Sequence, residues 1–205
     1  MMDAAKSELK AVRIFFTGVG GQGTLVATRL VGEAALEESI PVTLSEIHGM
    51  AQRGGVVESS VVAGSAFSPT IADGEADVVL AFEPLEALRA LPKCHGKTLV
   101  ICNTVPLVPF TVAVGQSEYP PTEELIRQVR EKVGRLVSLD AVAIARETGT
   151  DRAANIVMVG VMAGMSLLPI KDASWEAGLK RILPSKLFDV NWKAFQRGVA
   201  VGARA

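Results

Sequence analysis

Short aliphatic runs alternate along this chain with stretches in which apolar positions recur every three or four residues. The short runs, at 12–16, 41–46, 56–63, 76–82, 97–103 and 136–139, read as strands. Between them, 23–37, 84–91, 122–133 and 141–147 carry helical spacing. Pro84 suits a first helical turn, where its missing N–H is no loss. Thr122, followed by Glu123 and Glu124, reads as an N-cap with acids that complement the helix dipole. Gly149 marks a helix stop, and Gly64-Ser65 a turn. A short return strand leading to Ser68-Pro69 and another at 111–114 are further expectations. Three helical patterns close the chain at 153–168, 174–183 and 191–199, punctuated by Pro169 and Pro184. Strands alternating with helices predict an α/β fold with a mainly parallel sheet, followed by a helical region from about residue 152 to 205. No internal repeat or low-complexity linker interrupts residues 1–205, which predicts a single domain.

Composition narrows the function. Apolar residues make up 49% of the chain but aromatics only 5%, which suits a sheet buried on both faces by helices. A net charge of −1, with no long run of one sign, argues against nucleic acid as the main ligand. Cys94 and Cys102 form no C-x-x-C and no disulfide framework, which favours a reducing cytoplasm. Two cysteines cannot hold an iron–sulfur cluster. Cys94, His95 and Cys102 lack the fourth ligand of a structural zinc site, so no metal is expected. Residues 1–10 contain acids and no apolar core of a signal peptide. The longest apolar stretch, 156–170, is shorter than the roughly 20 residues needed to span a bilayer. Its Gly160 and Gly164 read as a face for close approach to the sheet or another helix.

The densest chemical signal is Thr17-Gly18-Val19-Gly20-Gly21-Gln22-Gly23-Thr24, directly after the first strand. A strand turning sharply into a helix exposes unpaired N–H groups at a helix N-terminus, which favours an anion, usually a phosphate. The spacing fits G-x-G-x-x-G in the context that motif requires. A dinucleotide site also needs an acid near the end of the second strand, and Glu46 stands about there. A tight turn with no ligand is the plain alternative. Gln22 can donate and accept at once, or simply cap the helix. Arg53 can clamp a carboxylate or phosphate, or pair with Glu46 or Glu58. His48 can contact a ligand, though a structural histidine is the commoner role. Asn103 and Asp140 fall at the carboxyl ends of strands, the ligand edge of an open sheet, but capping explains Asp140 better. Glu83 before Pro84 has the same two readings.

The segment His48-Gly49-Met50-Ala51-Gln52-Arg53-Gly54-Gly55, taken with the glycine loop, resembles the gamma subunit or domain of the 2-oxoacid:ferredoxin oxidoreductases, most of all the indolepyruvate type. Ser45 to Met50, Ser68-Pro69, Ala76-Asp77, Phe82 to Ala87, Asn103-Thr104, Asp140 and Asn155-Ile156-Val157 extend the resemblance over about residues 12–198. It implies a Rossmann-like domain in an assembly that oxidatively decarboxylates a 2-oxoacid with coenzyme A to acyl-CoA, CO₂ and reduced ferredoxin. It further implies coenzyme A at Gly18, Gly20, Gly21, Gln22, Gly23 and Thr24, and a partner or active site facing Glu46, His48, Gln52, Arg53 and Asn103. Thiamine diphosphate and the iron–sulfur clusters then belong to a larger partner subunit, which passes electrons to ferredoxin; no cofactor is expected to bind tightly to this chain alone. Residues 47–55 would meet that larger chain or a second copy in a homodimer. A stand-alone NAD(P)-binding oxidoreductase and a non-catalytic nucleotide-binding module are the competing functions.

Overall fold

A computed structural model describes residues 10–48, 55–65, 68–108, 112, 115 and 118–205. Six strands form one sheet: β1 (Val12–Val19), β2 (Val42–His48), β3 (Val56–Ala63), β4 (Val78–Ala81), β5 (Leu99–Asn103) and β6 (Arg135–Leu139). Their order is β2-β3-β1-β4-β5-β6. β1, β4, β5 and β6 pair in parallel, whereas β3 runs antiparallel to both β1 and β2. The consecutive strands β1 and β2 are thus not neighbours but are separated by β3. Their carboxyl ends still lie on one edge, because two reversals restore the direction.

Helices cover both faces. On one lie α1 (Thr24–Glu37), α4 (Ala141–Thr148), α5 (Ala154–Gly164), α6 (Asp172–Ile182) and α7 (Ser185–Gly202). Ile14 and Phe16 of β1, Leu80 of β4 and Ile101 of β5 bury against Leu30, Val157, Met158 and Phe195 of these helices. On the other face α2 (Pro84–Arg89) and α3 (Thr122–Arg130) cover Phe15, Val79, Val100 and Cys102. Alternate residues of one strand therefore enter different cores, as the period-two geometry of a doubly covered strand requires.

Several boundaries differ from expectation. α3 begins at Thr122, but its N-cap is Pro121 and no side chain caps it, so Thr122 lies inside the helix. Asp140 is a true cap, accepting a hydrogen bond from Ala143 N at 2.7 Å. α7 starts six residues earlier than its pattern suggested and runs for 18 residues. Ser68 and Pro69 are not in a strand; residues 66–67 and most of 109–117 lie outside the described residues, and so do the return strand and the strand expected there. Gly160 and Gly164 approach another helix rather than the sheet. A Cβ on Gly160 would lie 2.2 Å from Phe195 O, and one on Gly198 of α7 would lie 2.2 Å from Val157 O. No helix among the described residues is long and apolar enough to cross a membrane.

Candidate functional site

The carboxyl edge of the sheet gathers the glycine loop after β1, the start of α2, Asn103 at the end of β5, and a short 3₁₀ turn (Asp151–Ala153) leading into α5. The four loop glycines have different tasks. Gly18 is buried, and a Cβ there would lie 2.9 Å from Gln22 Oε1 and 3.1 Å from Phe82 Cβ. Gly20 donates to Gly55 O at 2.8 Å, which fastens the loop to the start of the β3 region. Gly23 caps α1 in the left-handed region (φ 78°), where a Cβ would strike Asn155 Nδ2 at 2.4 Å. Gly21 also has positive φ (101°) but open space where a Cβ would be, so it is the glycine that leaves room for a ligand.

Gln22 uses its amide internally. Oε1 accepts from Val19 N at 2.8 Å, and Nε2 donates to Phe82 O at 2.9 Å. It ties the end of β1 to the end of β4, and its side chain still borders the crevice. Thr24 is buried beneath the loop with an unpartnered hydroxyl close to Gly18, so it shapes the turn from below. Asn103 is equally engaged. Its Nδ2 donates to Phe82 O at 3.1 Å and its Oδ1 accepts from Ala141 N at 3.0 Å, while the residue lines the same crevice.

Glu46 lies within β2, and its Oε1 stands 3.5 Å from Arg29 Nε of α1. Two strand spacings, about 10 Å, separate β2 from β1. A ribose clamp of the dinucleotide type sits one strand away, so the inserted β3 puts Glu46 out of that role. His48 ends β2; Gln52 and Arg53 lie outside the described residues. Glu83 caps α2, accepting from Glu86 N at 3.0 Å and from the Tyr119 hydroxyl. Glu86 is also buried, and burial holds its carboxyl above the ordinary range despite the Arg89 guanidinium 2.6 Å away.

Arg152 belongs to no motif in the sequence, and Asn155 stands out there only as a point of family resemblance. Arg152 makes no ion pair among the described residues and stands beside the glycine loop. Asn155 Nδ2 donates to Gly23 O at 3.0 Å, and its Oδ1 has no partner among the described residues. The N–H groups of Gly23, Thr24, Leu25 and Val26 likewise have no acceptor there. A row of unpaired N–H groups at a helix N-terminus and a guanidinium are both chemically suited to an anion. The signal available in sequence was weak, since Arg152 is over 125 residues from the loop and belongs to no motif.

Two hollows flank this row. A cleft of about 130 Å³ reaches toward Phe82, Asn103, Val142 and Met158. A groove of about 550 Å³ runs over Val26, Ile156, Leu183, Leu187 and Val190. Among the described residues no group of three or more His, Cys, Asp or Glu side chains could hold a metal. Cys102 is fully buried, and burial pushes the Cys94 thiol up to about 11.

Residues 13–201 match the sequence profile of the pyruvate ferredoxin/flavodoxin oxidoreductase family. The chain is 42% identical over 192 residues to the indolepyruvate oxidoreductase subunit IorB of Methanothermobacter thermautotrophicus, spanning 94% of this chain and 98% of that one. The keto/oxoacid ferredoxin oxidoreductase gamma subunit of Geobacter sulfurreducens superposes with a TM-score of 0.69 at 21% identity, over 95% and 99% of the two chains. The 2-oxoglutarate:ferredoxin oxidoreductase of Magnetococcus marinus, solved with 2-oxoglutarate, coenzyme A and succinyl-CoA, gives 0.74 at 19% identity over 97% of this chain and 32% of that one. These two structural likenesses establish the fold.

Proposed function

We propose, for a chain that belongs to the pyruvate ferredoxin/flavodoxin oxidoreductase family and is a small subunit of a 2-oxoacid:ferredoxin oxidoreductase, that its assembly acts on indolepyruvate or a similar 2-oxoacid and that its glycine loop receives coenzyme A. The near end-to-end likeness to an indolepyruvate oxidoreductase subunit carries the substrate class. The unpaired N–H row beside Arg152 carries the ligand, because a diphosphate needs such donors and a fixed positive charge.

The same residues define what the chain does not do alone. With two cysteines, one of them fully buried, it cannot ligate a cluster. The crevice offers polar groups already committed to the fold: Gln22 and Asn103 hold backbone atoms. Thiamine diphosphate, the iron–sulfur clusters and the coenzyme A thiol, when bound, supply bond cleavage, electron transfer and the acyl acceptor, with the first two on a larger subunit. The contribution of this chain is to bind and orient: Gly21 leaves space, Gly23 to Val26 present N–H groups, and Arg152 neutralises charge. The assembly is cytoplasmic on this reading, and reduces ferredoxin through the partner.

The test is coexpression with the large subunit, purification of the complex, and coenzyme A-dependent dye reduction with indolepyruvate, pyruvate, 2-oxoglutarate and 2-oxoisovalerate. The expected outcome is turnover fastest with indolepyruvate, with iron and thiamine diphosphate in the complex and neither in this chain purified alone. A purified chain that binds NAD(P)H tightly and reduces a substrate without a partner would overturn the reading in favour of a dinucleotide enzyme.

A further inference from the structure

Gly21, Gln22, Arg152 and Asn155 border both hollows at the glycine loop, so an anion held there has space on two sides. We propose that the hollows are one binding site for a nucleoside diphosphate ester, with its ends assigned: Arg152 and the N–H row hold the diphosphate, the larger groove takes the nucleoside, and the narrow cleft takes a thin uncharged arm. This rests on the reading that the glycine loop binds coenzyme A, and adds the direction in which such a ligand lies.

Two observations assign the ends, and a third fixes a contact at the joint between them. The groove, at about 550 Å³, falls in the usual range for small-molecule sites, about 300–1,000 Å³, and the cleft, at about 130 Å³, falls below it. The bulkier end therefore belongs in the groove, over Ile156, Leu183, Leu187 and Val190. Asn155 is only 6% exposed, and its unpartnered Oδ1 is an acceptor beside the anion site. A diphosphate has no proton to give it at neutral pH; a hydroxyl of the ligand next to the diphosphate does, and because Asn155 borders both hollows this contact fixes the joint rather than either end. Lastly, Asp151 lines the cleft but not the groove. Its carboxylate is 4.0 Å from Arg146 and disfavours a second anionic group on that side, so the arm entering the cleft is uncharged.

Calorimetric titration of the full chain, alone and in its complex with the large subunit, with ADP, coenzyme A and pantetheine tests this directly. Arg152→Ala should weaken ADP and coenzyme A by about tenfold or more, as expected for loss of a charge-assisted fork, with pantetheine unchanged. Arg152→Lys should recover part of the loss, since it restores the charge without the fork. Leu187→Asp, at a position 41% exposed and so safe for folding, should weaken ADP but not pantetheine. ADP affinity within twofold of wild type in Arg152→Ala, no ADP binding by either wild-type preparation, or a Leu187→Asp effect on pantetheine instead of ADP would each overturn the proposal. Dye reduction by the same complexes separates the two readings. Turnover with an Arg152-insensitive ADP affinity removes this assignment alone, and Arg152-dependent ADP binding without 2-oxoacid turnover removes the activity alone.

Discussion

Gln22 stands in a run of glycines, where a polar side chain invites a ligand role, yet both ends of its amide close bonds within the chain. Phe82 O keeps a second donor in Asn103 if Gln22 is shortened, but Val19 N loses its acceptor. Gln22→Ala should therefore destabilise the subunit by about 1–3 kcal/mol, the cost of an orphaned buried donor. Thermal unfolding checks it: a melting temperature equal to wild type would mean that the amide is not a staple. Glu86 gives a pH-dependent test. The unfolded chain releases this proton near 4.5, while the folded chain, which buries the carboxyl, holds it to higher pH. The folded state then binds more protons in the interval above 4.5, and stability declines as pH rises through it. Glu86→Gln removes that component, so the variant's melting temperature should gain on wild type as pH is raised from about 4.5 and level off above the folded value. A pH-independent difference would contradict a raised Glu86.

At the scale of elements, α5 and α7 touch backbone to backbone. The contact is reciprocal, with Gly160 and Gly164 meeting Phe195 O and Val199 O, and Gly198 and Gly202 meeting Val157 O and Val161 O. A methyl at Gly160 has no flexible neighbour to displace, since what it meets is main chain. Gly160→Ala should cost about 1–3 kcal/mol or more through overpacking, although alanine is the better helix former. An unchanged or raised denaturation midpoint would show that the helices can part freely. The G-x-x-x-G was legible in the sequence as a close-approach face; its partner was not, because the matching glycines lie 38 residues further on with no shared period to link them. The antiparallel β3 was legible as a strand but not as a reversed one, since alternation reports burial of each face and carries no direction.

For the whole molecule, the carboxyl edge is the surface on which the loop, the Asp151–Ala153 turn and the ends of β4 and β5 converge. On the proposed function, a larger subunit that completes an active site covers this edge. Hydrogen exchange on the free chain and on the complex should show protection gained at 19–26 and 150–156, where unpaired N–H groups and Arg152 lie. Protection gained on the opposite edge instead would place the partner away from the crevice. The expectation that residues 47–55 form the interface falls on a segment of which only 47, 48 and 55 are described. Of these, Gly55 accepts a hydrogen bond from Gly20 N of the glycine loop.

The sequence by itself determined the strands, the helices, the turn of glycines and the absence of cluster ligands, because each follows from local spacing or from a count of residues. It also determined the family, through motifs spread over the chain that the profile match and the relatives bear out. Tertiary structure decided which polar residues are free. Gln22, Asn103 and Glu46 looked available and prove to be engaged by Phe82, Ala141 and Arg29, all distant in sequence. Arg152 and Asn155 looked ordinary and stand at the loop with unused hydrogen-bonding capacity. The reason is physical: the chemistry of a side chain is intrinsic, but whether its donors and charge remain available depends on which atoms folding brings within about 3 Å of it.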